Sequence, residues 1–209
     1  MIDKNIGFIG LGNVGSMLAN SILQANYILN IYDLEKNTSI ELINKGAIWQ
    51  NSIRDILESS SIVITCLPSP QAVIDVVEKK GGLIQNITNK HLWIEMSTTD
   101  ENEMIRLSKL IESKEANVLE APVTGGQHRA QSGNISVFAA GKRENFDRAF
   151  PILSEIGYKV LYCGKIGNAS TLKVVTNFLA SINLLSLGEV LMVCKKYGLD
   201  LKKAYDGIK

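Results

Sequence analysis

Along most of this chain, short apolar runs alternate with amphipathic stretches of a different period. Runs rich in Ile, Val and Leu at 5–10, 27–33, 47–49, 61–66, 92–96, 117–120, 135–140 and 159–163 predict strands. Between most of them, helical spacing of apolar residues at 14–24, 36–45, 53–58, 71–79, 99–114 and 145–156 predicts helices. Gly46 and Gly157 follow two of these stretches as helix stops. Such alternation builds a doubly wound, mostly parallel sheet covered by helices on both faces, so the expected class is α/β.

After Gly164 the pattern changes. From 168 to 197 there is neither a strand signal nor a proline, then Gly198 supplies a stop and Asp200 a cap for a further helix. One helix over that span would be roughly 45 Å long. Between 178 and 193 it is apolar on nearly every face, through Phe178, Leu179, Ile182, Leu184, Leu185, Leu187, Val190, Leu191 and Val193. A helix of that kind is expected to be covered. Protein cover is favoured over a bilayer, because the apolar run falls short of about 18 residues and holds Asn183 and Glu189. The expected organisation is a sheet domain over 1–164, then a long helix and the start of an incomplete all-α domain over 165–209. Its cover would come from a second subunit, giving a homodimer or higher oligomer, or from residues beyond the chain.

Composition narrows the function classes. The chain has 209 residues, is 45% hydrophobic, and sets 22 Lys and Arg against 21 Asp and Glu. With a net charge of +1 and no charge block, no nucleic-acid or anionic-membrane surface is expected. The stretch from Met1 to Lys4 lacks the features of a signal peptide. Cys66, Cys163 and Cys194 are few and widely spaced, so neither a disulfide framework nor a metal site is expected. A cytoplasmic location follows as the default.

The candidate chemistry begins at the end of the first strand. Gly10-Leu11-Gly12-Asn13-Val14-Gly15 spells G-x-G-x-x-G between a strand and a helix. In the Rossmann phosphate loop the first glycine makes the tight turn, the second lets the backbone approach a pyrophosphate, and the third lets helix and strand pack closely. The helix N-terminus then offers free amides to the phosphates. The second strand ends in Asp33, 18 residues after Gly15, where an acid accepts a ribose 2′-hydroxyl and repels a 2′-phosphate. No arginine follows, only Leu34 and Glu35, so NAD is expected over NADP. Alone, Asp33 also reads as a cap for the next helix.

Further segments sit where ligands bind in open α/β sheets, at the carboxyl ends of strands: Cys66-Leu67-Pro68-Ser69-Pro70 and Glu95-Met96-Ser97-Thr98. On the residues alone these are also simple strand-to-helix turns, with Ser69 and Thr99 as helix caps. Glu120-Ala121-Pro122-Val123-Thr124-Gly125-Gly126 offers a hydroxyl and approachable amides, which suits a carboxylate. Lys173 and Asn177, in Lys173-Val174-Val175-Thr176-Asn177, are four apart and share a helix face. A lysine there either snorkels to solvent or is buried and loses basicity, as acid–base catalysis requires.

Together these motifs resemble the β-hydroxyacid dehydrogenase family, in its 3-hydroxyisobutyrate dehydrogenase branch, and the likeness runs in order along the chain. The resemblance implies that Leu67, Pro68, Ala72 and Thr98 join the glycine loop in holding the cofactor. It implies that Thr124, Gly125 and Gly126 grip a small carboxylate substrate, and that Lys173 is the catalytic lysine, oriented by Asn177. The family usually has Asp and Ser where this chain has Glu120 and Thr124, and often a second asparagine where it has Thr176. It continues into a larger helical domain, so an NAD-binding module with little turnover is the alternative expectation. Imine reduction on the same scaffold is disfavoured by Lys173. His128 and Arg129 are read as loop surface residues, with Arg129 a lesser candidate for a second anionic group, and His91, Cys66 and Cys163 as structural.

Overall fold

The computed structural model describes residues 4–209; Met1, Ile2 and Asp3, part of the stretch read as lacking a signal peptide, lie outside them. The chain forms two compact units, one ending at Lys173 and the other spanning Val174–Lys209.

In the first unit, β1 (Asn5–Ile9), β2 (Ile28–Tyr32), β3 (Ile48–Trp49), β4 (Ile62–Thr65), β5 (Leu92–Glu95) and β6 (Asn117–Glu120) are parallel and lie in the order β3-β2-β1-β4-β5-β6. This is the Rossmann order, with its switch point between β1 and β4. The sheet continues through β8 (Ser136–Gly141), which runs antiparallel to β6 and to the two-residue β7 (Val123–Thr124); β9 (Lys159–Tyr162) is parallel to β8.

Strand side chains point to alternate faces, and the core divides accordingly. Ile6, Phe8, Ile62, Ile64, Leu92, Ile94 and Leu119 pack with α1 (Gly15–Gln24) and α8 (Arg143–Ile156). Ile9, Val63, Trp93 and Val118 pack on the opposite face with α3 (Ile53–Ser59), α4 (Pro70–Glu78), α5 (Leu83–Asn86) and α6 (Glu101–Glu112).

Several expectations need correction. The stretch 36–45 is not one helix: Lys36–Ser39 forms a 3-10 turn before α2 (Ile40–Asn44). The Thr38 and Ser39 hydroxyls donate to the Glu35 and Lys36 carbonyls, the competition with helical pairing that these residues favour. Thr99 does not cap α6. Asp100 does, accepting from the Asn102 and Glu103 amides, while the buried Thr99 hydroxyl has no hydrogen-bond partner among the described residues. His128 and Arg129 lie on a short helix, α7 (Gly126–Gln131), not a loop. Ser69 does cap α4, accepting from the Ala72 amide, and Asp200 caps α10 (Leu201–Ile208), accepting from Lys203. His91 is structural: Nδ1 accepts from the Thr88 amide and Nε2 lies 3.0 Å from the Leu57 carbonyl.

α9 runs unbroken over Asn168–Lys196, so its first turns belong to the first unit and the remainder to the second. Most of its apolar residues in the second unit are exposed, Phe178 at 68% and Leu184 at 72%, while Leu187 and Leu191 are half-buried. By length and composition the helix is long enough to cross a membrane, longer than the 178–193 run alone indicates.

Candidate active site

The three loop glycines occupy distinct surroundings. Gly10 has φ +97°, and a Cβ there would lie 2.4 Å from the Cys66 carbonyl oxygen. A Cβ on Gly15 would lie 2.1 Å from the Gly10 carbonyl oxygen. A Cβ on Gly12 would meet no heavy atom within 4 Å. Gly10 and Gly15 are therefore required by the turn and by packing, whereas Gly12 borders open space. α1 starts here without a side-chain cap and without an acid in its first turn; the Ser16 and Met17 amides donate to the Gly12 and Val14 carbonyls, so an anion would be met by the loop amides ahead of them.

Asp33 does not cap the following helix. Its Oδ2 accepts from the Leu11 amide at 2.6 Å and its Oδ1 from the Glu35 amide at 2.9 Å, which ties the end of β2 to the phosphate loop. Leu34 beside it is 90% exposed.

A cleft of about 960 Å³ opens at this end of the sheet. It brings together Gly10, Gly12, Asn13, Val14, Gly15, Asp33, Leu67, Pro68 and Ala72, all expected to bind cofactor. Leu11 is absent from its walls because its side chain is buried and its amide serves Asp33; Thr98 is exposed and also outside them. The cleft is large enough for a dinucleotide, and the bare edge at Gly12 is the approach a pyrophosphate needs. Lys79, Lys80, Gly81 and Gly82 also line it and were not foreseen. The Lys-Lys-Gly-Gly run after a helix was the available signal.

Cys66 lines the cleft as well; burial, with the Glu95 charge adding, pushes its thiol up to about 12 and keeps it protonated. Behind the cleft wall, Glu95 Oε1 accepts from the Ser97 amide at 2.5 Å and Oε2 accepts from the Thr65 hydroxyl. Trp93 Nε1 donates to that hydroxyl at 2.8 Å, and Ser97 Oγ accepts from the Leu67 amide at 2.8 Å. Burial raises the Glu95 carboxyl to about 7.

The remaining candidates lie outside the cleft walls. Thr124 is half-buried in β7 opposite Ser136. Gly125 and Gly126 have φ of +133° and +74°, which only glycine adopts freely, and Arg129 packs across Gly125. Lys173 closes the first unit, half-buried, and desolvation holds its ammonium below the ordinary lysine value. Asn177, exposed, lies four residues further along α9 in the second unit. The turn before Lys173 is anchored by Glu120. Its Oε1 accepts from the Gly167 and Ala169 amides at 2.6 and 3.1 Å, and its Oε2 accepts from the Ser170 amide at 3.2 Å and hydroxyl at 2.5 Å. Neither Glu95 nor Glu120 was singled out from the sequence as an anchor. Among the described residues no cluster of His, Cys, Asp or Glu is arranged to hold a metal ion.

Known proteins share these features. Residues 5–164 match the family described as the NAD binding domain of 6-phosphogluconate dehydrogenase. The mitochondrial 3-hydroxyisobutyrate dehydrogenase of Rattus norvegicus is 32% identical over 197 residues, 94% of this chain and 59% of that protein. YkwC of Bacillus subtilis (strain 168), named an uncharacterized oxidoreductase, is 28% identical over 199 residues, 95% of this chain and 69% of its own length. Mycobacterium tuberculosis 3-hydroxyisobutyrate dehydrogenase with L-serine matches with a TM-score of 0.88 at 24% identity, covering 100% of this chain and 70% of that one. An imine reductase variant from Myxococcus stipitatus in complex with NAD+ matches with a TM-score of 0.89 at 19% identity, covering 99% and 71%. Both structural likenesses speak for the fold alone. The chain spans about three fifths of the length of the mammalian relatives it matches.

Proposed function

Because the chain belongs to the 6-phosphogluconate dehydrogenase family through its NAD binding domain, we propose that it is an NAD-dependent dehydrogenase of small 3-hydroxy acids, interconverting them with their semialdehydes. Bound NAD supplies the hydride acceptor in oxidation and, once reduced, the donor in reverse. The protein's own part is positioning and proton transfer. The Thr124 hydroxyl and the Gly125 and Gly126 amides hold the substrate carboxylate. Lys173 Nζ takes the proton of the substrate hydroxyl and returns it in the opposite direction, with Asn177 orienting both. The observation that carries this reading is the half-buried position of Lys173, where desolvation favours the uncharged amine that can accept a proton. Leu34 and Glu35 line the cleft beside Asp33, and that acidic edge supports NAD over NADP.

The exposed apolar residues of Val174–Lys209 support association between copies, which we place in the cytoplasm. Solution mass tests this: a dimer or larger species without detergent is expected, and a monomer, or material that stays soluble only in detergent, contradicts it.

A second reading is an NAD-binding module with little turnover, favoured by Thr124, Gly125, Gly126, Lys173 and Asn177 all lying outside the walls of the cofactor cleft. Steady-state assays of 3-hydroxyisobutyrate and related short 3-hydroxy acids with NAD separate the two. Saturable NADH formation supports the dehydrogenase, whereas NADH binding without turnover of any of them supports the module.

A further inference from the structure

β5 and β6 are parallel neighbours, and their last residues, Glu95 and Glu120, stand side by side in register. Each is only 1% exposed. Two acids this deep and this close repel when ionised, and each is costly to desolvate, so packing alone gives no reason for them. Their hydrogen bonds lead to different segments. From Glu95 the path runs through Ser97 to the Leu67 amide, at the cleft wall. From Glu120 it runs to the first turn of the helix carrying Lys173.

We propose that Glu95 and Glu120 are a divided pair of positioning residues: Glu95 sets the Leu67–Pro68 wall of the cofactor cleft, and Glu120 sets the height and rotation of Lys173. This rests on the reading of cleft and lysine given above. Catalytic groups need their support held to within about half an ångström, and both carboxylates supply it through several convergent bonds. The Glu120 contacts satisfy amides at Gly167, Ala169 and Ser170 that a helix start leaves without helical partners. Gly167, with φ +99°, turns the chain just ahead of α9, so the Glu120 anchor at this turn determines how the helix starts. A glutamine in either place keeps the shape but brings an NH2 against groups that are already donors, so it removes acceptors selectively.

The proposal is tested on the full chain with Glu95→Gln and Glu120→Gln, reading NADH affinity by fluorescence titration and Lys173 ionisation by NMR of 13C-methylated lysines. Glu95→Gln is expected to weaken NADH about tenfold and to leave the Lys173 titration unchanged. Glu120→Gln is expected to raise the Lys173 pKa by about one unit as the helix start loosens and the amine hydrates, with NADH affinity changed less than about twofold. If a glutamine variant does not fold, Ser97→Ala removes the bond from Ser97 to the Leu67 amide and Ser170→Ala removes one of the several bonds to Glu120, and the two should show the same split more weakly. Equal effects of the two acids on both readouts, or no effect on either, overturns the proposal. Neither readout needs turnover, so a failure of the dehydrogenase reading is seen separately, as absent substrate oxidation by the unaltered chain.

Discussion

Asp33 and Leu11 are joined by a hydrogen bond of 2.6 Å, from the Leu11 amide to the Asp33 carboxylate, so the acid just after β2 is fastened to the loop that follows β1. It thereby has a structural as well as a selective role, and the two can be separated. Asp33→Asn keeps an acceptor for the Leu11 amide but removes the charge. It should fold with stability within about 1 kcal/mol of the parent. Paired with Leu34→Arg, it should raise kcat/KM with NADP at least about tenfold relative to NAD. No rise in NADP use in a well-folded double variant would remove Asp33 as the selector.

Two loop glycines should respond in opposite ways. Gly12→Ala adds a methyl to open space and should leave thermal unfolding unchanged while weakening NADH about tenfold. Gly15→Ala drives a methyl into the Gly10 carbonyl and should cost about 1–3 kcal/mol of stability. Calorimetry beside NADH titration checks both. Weaker binding with lost stability at Gly12, or unaltered stability at Gly15, would contradict the assignment.

Stability should carry the mark of Glu95. Burial lifts its carboxyl to about 7 in the fold against an ordinary 4.5, so between those values the folded state holds more proton than the unfolded state. Unfolding free energy should therefore fall as pH rises from about 4.5 to 7, with Glu95 contributing on the order of 3 kcal/mol. Glu120, also raised by burial, acts in the same direction. Denaturant titrations across this window should show the decline, and Glu95→Gln should flatten most of it; an unchanged slope in that variant would assign the dependence elsewhere.

Lys173 makes a prediction of its own for rate. Burial lowers its pKa, so kcat/KM for hydroxy-acid oxidation should rise with pH to a plateau, inflecting below the ordinary 10.5 of lysine. An inflection that stays in place in Lys173→Arg would belong to another group.

Much of this was legible before the fold was seen, and the exceptions share a cause. The strand runs and the glycine loop are local patterns, and the eight strand runs foreseen each appear within a residue or so of their span. What local pattern cannot carry is a partner distant in sequence. Glu120 meets Gly167 and Ser170 about fifty positions away, and Glu95 meets Thr65 thirty positions away. In sequence both acids looked like ordinary motif positions. β7 and α7 escaped notice because two strand residues and six helical ones around a glycine pair carry almost no periodicity. Thr99 is the right residue type for a cap, yet Asp100, one position on, has the geometry.

The central claim, that Lys173 performs the proton transfer in a chain whose NAD cleft is otherwise independent of it, is tested most directly by one comparison. Lys173→Ala and the parent are assayed side by side for kcat/KM on a 3-hydroxy acid that the parent oxidises and for NADH dissociation constant. The account predicts a loss of about a hundredfold or more in kcat/KM with NADH affinity held within about twofold. Turnover that survives the substitution, in a variant that still binds NADH, would contradict it.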